Sequence, residues 1–526
     1  MDTSSNIPVV DLFAGPGGLG EGFAAYQSSQ GDRPFRVTLS VEKETTAHQT
    51  LKLRSLYRKL TDKARNNYFA ALSSSLPQKQ QIASLYEQFP REAEAADSEA
   101  WQAELGAVHD SEVSARIAGS IGKAKQWVLV GGPPCQAYSL AGRSRNKGVT
   151  DYRPENDKRH FLYVEFLKAV VNNQPDVFVL ENVKGLLSAT VNNQYILQRM
   201  LEDLESPAAA IEENNRSISL LRNNPRYRIV SLSDLNMFNK ELKHYLVRME
   251  NYGIPQARHR LILVGIRDDY STVPIGKLRD TGRVTTGEVL SGLPVIRSGL
   301  SKCRDSSNNW LEALRQIRTS SWLRNLKNTD LSLAETILNT LDALVVPYHE
   351  RGDEFIQYSP DINYRRDWYL DKRIGGVLNH STRAHIVSDL HRYLFAACYT
   401  EVYGGTSPKL RDFPVELWPD HKNVRKTLSG GYFGDRFRVQ SSINPAKTIT
   451  SHISKDGHYY IHYDPHQCRS LTVREAARIQ TFPDNYFFCG PRTSQYHQVG
   501  NAVPPLLAYQ IAETVHEFLK NTGSGN

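Results

Sequence analysis

The chain has 526 residues, enough for two or three domains and at least one large core. Its 64 Lys and Arg against 56 Asp and Glu leave a net charge of +8, which suits a polyanionic partner without requiring one. No run of about 18 apolar residues and no basic-then-apolar leader is present, so no membrane partner is expected and a cytoplasmic protein is. The five cysteines are widely spaced and never form CxxC, which argues against a zinc site or a disulfide framework and for a reducing compartment.

Apolar β-rich runs predict strands at 8–13 (PVVDLF), 37–42 (VTLSVE), 127–132 (WVLVGG), 177–182 (VFVLEN) and 261–266 (LILVGI). Between the last two pairs lie helical stretches, such as 161–173, with Val164, Leu167, Val170 and Val171 on one face. Strand alternating with helix predicts a doubly wound, Rossmann-like α/β sheet. Residues 51–125 read as a polar, helical insertion without a strand, and 202–224 as a smaller insertion.

From 271 to 455 the pattern turns irregular and holds four of the six tryptophans. This stretch is taken as a second domain, with 1–270 before it as the catalytic domain and 456–526 after it completing that domain. Thr472 and Glu475 at capping-box spacing start a short helix that stops before Pro483. A last helix carries Leu507, Ile511, Val515 and Phe518 on one stripe, and the final GSGN is expected to be disordered.

Ligands of open parallel sheets sit at the carboxyl ends of the strands. The first strand runs into AGPGGLGEGF, where Gly15, Gly17 and Gly20 spell GxGxxG, and the second ends in Glu42, placed to accept ribose hydroxyls. Together these imply an adenosine-containing cofactor and leave NAD and S-adenosylmethionine both open. The third strand ends in GGPPC. A buried cysteine alone is usually a small inert apolar group, but two prolines stiffen the approach to Cys135 and a basic stretch, AGRSRNKG, follows it. The fourth strand ends in Glu181 and Asn182. Ahead of the fifth, Gln256, Arg258 and Arg260 alternate and can share one face if that strand runs antiparallel.

In order along the chain, DLFAGPGG, GGPPCQAYS, ENV, QARHR, RSLTVREAARIQTFPD and GNAVPPLLA resemble the DNA (cytosine-5)-methyltransferases. The resemblance covers both ends of the chain and leaves out most of 51–125 and 271–440. It implies a S-adenosylmethionine-dependent enzyme acting on double-stranded DNA, without metal, in which Cys135 is the nucleophile. Glu181 would then contact N3 of the base, Asn182 brace the cysteine loop, and Arg260 with Arg258 bind the base carbonyl. It also implies that Phe13, Ala14, Gly15, Gly17, Gly18, Glu42, Pro134, Leu162, Asn501 and Val503 hold the cofactor. On that reading the C-terminal helix packs beside the first strand, and the adenine contact falls to Leu105 and Gly106 or to Asp110. Gln136, Ser139, Arg143, Arg145, Lys147 and Gln256 are the implied DNA contacts, and 271–455 the implied target-recognition domain. A monomer paired with a restriction endonuclease is the expected setting. A catalytically silent DNA-binding relative, an RNA cytosine-5 methyltransferase and a nicotinamide-dependent oxidoreductase are the alternatives.

Overall fold

A computed structural model describes residues 6–134, 161–191, 194–213, 224–233, 241–270, 272–420 and 436–523. Its centre is one mixed sheet of eight strands: β1 (Ile7–Leu12), β2 (Phe35–Glu42), β3 (Ala100–Gln102), β4 (Val128–Gly131), β5 (Val177–Val183), β6 (Tyr227–Val230), β7 (Leu246–Arg248) and β8 (His259–Arg267). The spatial order is β3-β2-β1-β4-β5-β8-β6, with β7 also pairing with β8. Strands β1 to β5 are parallel, and β8 is antiparallel to β5. The order reverses beside β1, the switch point where such sheets open a crevice.

All five expected strands are present. The alternation along them explains why they read as continuous apolar runs. Val9, Val128, Val130, Val177, Val179, Ile262 and Val264 face one layer, while Val10, Leu12, Leu129, Phe178, Leu180, Leu261 and Leu263 face the other. Both layers are covered, and each fully buried side chain of this size contributes about 1.5–3 kcal/mol relative to exposure. The first layer packs against α1 (Gly18–Ala25) and the C-terminal helix Pro505–Gly523, whose Leu507, Ile511, Val515 and Phe518 are all buried there. The C-terminal helix therefore does lie against the strand that opens the chain.

The stretch 51–125 is mostly helical, as expected, but it also contains an unexpected strand. Four helices, α2 (Thr45–Lys59), α3 (Asp62–Leu72), α4 (Gln78–Gln88) and α5 (Pro90–Glu99), come first. Then β3 joins the sheet edge in register Ser40↔Ala100, and α6 (Asp110–Ile121) buries Val113 and Ile117 under the second layer. Three strand residues are too few to leave a sequence signal. The helix α7 (Phe161–Asn173) lies in that layer too, as does α8 (Ile196–Glu205), so 202–205 belongs to the core rather than to an insertion.

A second lobe has its own core around Trp310, Leu314, Leu341, Phe395 and Phe437. The boundary expected at 456 falls inside continuous packing. Ile461 and Cys468 join the second lobe's core, residues 471–502 build a junction core with Val289, Tyr369 and Ile449, and from Val503 onward the chain packs on the sheet. The junction is stiffened by the helix Val473–Ile479, which Thr472 and Glu475 open with the expected capping box. Its Arg474 donates to the carbonyls of Leu378 (2.9 Å) and Pro483 (3.1 Å), while Arg478 pairs with Asp484. The insertion helices fill a further core with Ile374, Leu378 and Phe487 from beyond the sheet. The tail 524–526 lies outside the described residues, although Gly523 of GSGN closes the last helix.

Candidate active site

At the carboxyl ends of β1, β2, β4 and β5 a cleft of about 830 Å³ opens between the sheet and the second lobe. The glycine loop forms its floor. Phe13 and Gly15 both take positive φ, 57° and 56°, which turns the chain sharply off β1. A side chain on Gly15 would point into open space. Gly18 serves packing: a Cβ there would stand 2.1 Å from the Val503 carbonyl oxygen, and at Gly22 2.4 Å from the Ala508 Cβ. These glycines let the C-terminal helix approach closely enough to make Asn501, Ala502 and Val503 a wall of the cleft.

Glu42 reaches the floor from the end of β2. One carboxylate oxygen accepts from Gly15 N (2.9 Å) and the other from Glu44 N (2.8 Å), so it fixes the loop while facing the cavity. Burial raises its pKa against those hydrogen bonds. Asp11 lies deeper, 1% exposed, with one oxygen accepting from Gly20 N (3.1 Å) and the other, Oδ1, without a partner. Burial pushes its carboxyl up to about 7. A half-exposed ion pair, Lys43 with Glu104 (3.0 Å), edges the same end, beside Ala103 and Leu105.

The opposite end is charged. Strand β8 pairs with β5 in register Arg260↔Val183, so it begins where β5 ends. Arg260 Nε meets Glu181 Oε1 at 3.0 Å, with both side chains mostly buried. Arg258 is 2% exposed and donates to the carbonyls of Ile449 (2.8 Å) and Gly500 (3.4 Å). Its pKa falls to about 9 because it is buried and beside Arg260, a cation of like charge. Gly132 and Pro134 line the cleft across from this pair, and a Cβ on Gly132 would stand 3.3 Å from Glu181 Oε2. Thr448, Thr450 and Ser451 close the cleft from the far side.

The structure thus brings Phe13, Ala14, Gly15, Glu42, Pro134, Leu162, Glu181, Asn182, Arg258, Arg260, Asn501 and Val503 to one cavity. Gly17 and Gly18 are not on its wall; Gly17 abuts Leu51 and Tyr486. Gln256 is placed elsewhere. It is fully buried, donating to the Ile479 carbonyl (3.0 Å) and accepting from Ile449 N (3.1 Å), because the strand containing it pairs with Ala446–Lys447 at the lobe junction. Among the adenine candidates Leu105 lines the cleft, whereas Asp110 pairs with Lys168 outside it. Cys135, Gln136, Ser139, Arg143, Arg145 and Lys147 lie outside the described residues. Sequence reasoning missed Asp11, Glu104 and the Thr448 to Ser451 segment. An acid inside an otherwise apolar strand was a readable signal for Asp11; the others depend on tertiary packing.

An adenosine-bearing sulfonium fits these walls: apolar Phe13, Leu162 and Val503, a carboxylate at Glu42, and the unpartnered Asp11 oxygen at the depth of the cleft. The cavity lies within the range of small-molecule sites.

A family model described as C-5 cytosine-specific DNA methylase matches residues 98–207 and 197–517. A type II methyltransferase of Bacillus paralicheniformis, M.Bpa9945I, is 30% identical over 97% of this chain and 99% of its own. A DNA (cytosine-5-)-methyltransferase of Aeropyrum pernix, M.ApeKI, is 28% identical over 74% of this chain and 81% of its own. Among solved structures, an E. coli prophage protein described as a DNA modification methyltransferase matches with a TM-score of 0.50 at 17% identity, over 98% of this chain and 100% of that one, a likeness of fold. With a family match spanning most of its length and a relative 30% identical over 97% of it, the chain belongs to the C-5 cytosine-specific DNA methylases and is a DNA (cytosine-5)-methyltransferase.

Proposed function

We propose that the enzyme methylates cytosine at a specific sequence in double-stranded DNA, on a base flipped from the duplex and through a covalent adduct with Cys135. The observation that carries this reading is the convergence of Glu181, Arg260 and Arg258 on a cleft that Pro134, the residue before Cys135, also lines. Cytosine C5 is a poor nucleophile. Addition of the Cys135 thiolate to C6 opens the 5,6 double bond and drives an electron pair toward N3, which Glu181 contacts and protonates or polarises, so that C5 becomes enamine-like. Phe13, Gly15, Glu42 and Val503 would hold S-adenosylmethionine, whose sulfonium would supply an electrophilic methyl group for C5 and depart as the neutral thioether. Water then takes the C5 proton, the 5,6 double bond re-forms as the C6–S bond breaks and releases the thiolate, and N3 gives back any proton it took from Glu181. Arg260, fixed by Glu181 and by its own bond to the His259 carbonyl (2.9 Å), has N–H groups left for the base carbonyl. Asn182 braces the cysteine loop.

Flipping the base costs about a few kcal/mol of stacking. Gln136, Ser139, Arg143, Arg145 and Lys147 offset it by gripping the strand and its phosphates, and the second lobe reads the target through major-groove base edges. Gln256, spent on main-chain contacts, drops out of the DNA-contact set. The type II names of the relatives support a role as the protective partner of a restriction endonuclease; a monomer acting on cytoplasmic DNA completes the proposal.

Incubation with labelled S-adenosylmethionine and unmethylated duplex, followed by bisulfite mapping, is expected to place label on cytosine C5 at one recurring sequence. Label absent from DNA, or on RNA alone, contradicts the proposal. Cys135→Ser is expected to abolish turnover and leave duplex binding within about twofold of wild type; transfer at the wild-type rate would remove Cys135 from the mechanism.

A further inference from the structure

Between α1, α2 and residues 365–373 of the second lobe lies another cleft, of about 630 Å³, which shares no lining residue with the catalytic one. Seven cationic side chains line it against three carboxylates. Several are already neutralised: Arg54 and Arg58 meet Glu21, Arg58 also meets Glu99, and Arg373 meets Asp371 and Asp62. Arg33, Arg365 and Lys372 are exposed on the same cleft; among the described residues none of the three forms a salt bridge, although Arg33 acts at longer range on Glu21, which Arg54 and Arg58 already hold. Cations of one sign facing a common space repel one another, and an entering anion relieves that repulsion.

The aromatic walls are occupied by the protein's own groups, so what the cleft offers a guest is its charge. The guanidiniums of Arg54 and Arg65 lie over the Tyr57 ring, 4.4 and 4.8 Å from its centroid, and Trp368 is fixed by its N–H on the Thr481 carbonyl (2.8 Å). At Asp371 and Lys372 the cleft continues into a neighbouring one of about 730 Å³. The site is therefore open on one side and not closed around a single ion, with Asp367, Asp371 and Asp484 facing Arg366 and Lys372 in the neighbouring cleft.

We infer that this cleft binds a phosphate-bearing ligand through Arg33, Arg365 and Lys372. Guanidinium forks take phosphate oxygens in pairs, and an ammonium adds a point charge. The phosphates come from the backbone of the DNA beyond the target site or from a free polyphosphate, and one set of variants separates the two. Tripolyphosphate is titrated calorimetrically into the full-length protein. Wild type is expected to bind it, and Arg33→Gln with Arg365→Gln to weaken binding by about tenfold or more. Arg315→Gln with Lys327→Gln, exposed helical positions elsewhere, removes the same charge and is expected to leave binding unchanged. Duplex affinity is then compared for a short fragment and one several turns longer. If the cleft variant loses affinity for the long duplex only, the phosphates are those of flanking DNA. Lost tripolyphosphate binding with both duplex affinities intact assigns the cleft to a free polyphosphate. Equal binding of tripolyphosphate and of both duplexes by wild type and cleft variant, with unchanged melting, overturns the inference.

Discussion

Asp11 is a carboxylate in a strand that is otherwise apolar, one residue from its end. Burial holds its pKa near 7, against 3.8 for the free group. The folded state therefore keeps a proton that the unfolded chain has lost, so the group stabilises the fold below about pH 4 and that contribution is gone above about pH 7. Asn keeps an oxygen for Gly20 N and has no charge to desolvate. Asp11→Asn is expected to raise stability by about 1–3 kcal/mol at pH 8 and by much less at pH 5, which urea unfolding at the two pH values checks. Arg258 illustrates a different constraint. Its guanidinium ties the Ile449 carbonyl, in the second lobe's return, to the Gly500 carbonyl beside Asn501. Both bonds come from one nitrogen, Nη1, and a compact, strongly hydrated ammonium tolerates such burial less well than the delocalised guanidinium. Arg258→Lys should lower kcat by about 10-fold or more with a smaller change in donor affinity, measured by single-turnover methylation.

The contact between α1 and the C-terminal helix is an element-level device, and glycine makes it possible. Gly22→Ala would drive a methyl group into Ala508 Cβ (2.4 Å) and the Pro505 carbonyl oxygen (2.5 Å), and the helices must separate. A loss of about 1–3 kcal/mol is expected, with weakened donor binding. Gly119→Ala in α6 meets nothing within 4 Å and should stabilise by about 0.5–1 kcal/mol. Thermal melting of the two variants gives opposite signs. Elements of this kind were legible because their signals are local. Parallel buried strands need apolar residues on both faces, and the Thr472 to Glu475 capping box is written within four positions. The cleft was legible for the same reason, since Glu42, Glu181 and the GPGG turn each end a strand. What stayed hidden depends on distant partners. The three residues of β3 are strand only because Ser40 to Glu42 pair with them, and Gln256 is turned inward by a two-residue pairing with Ala446–Lys447.

At the scale of the whole molecule, buried charge ties the second lobe to the junction helix. Glu475 is 1% exposed, bound bidentately by Arg469 (2.6 and 2.7 Å) and faced by His462 and His380. Arg469 holds its carboxyl well below the usual range, while burial keeps His380 and His462 neutral down to about 4. The unfolded chain protonates these histidines near 6.5, so stability is fully present above that value and falls as pH drops toward 4; loss of the Glu475 contribution follows at lower pH. The urea midpoint should decline steeply between about pH 6 and pH 4, and a flat profile there would contradict the assignment. Glu475→Gln strands a buried guanidinium and should cost about 3–5 kcal/mol. One consequence of the closing helix concerns the order of synthesis. The wall made by Asn501, Ala502 and Val503 leaves the ribosome long after the strands it completes. A nascent chain that has already folded its sheet still lacks that wall, so donor binding can stabilise only polypeptides that have been translated through this segment, and partial products gain no protection from the ligand.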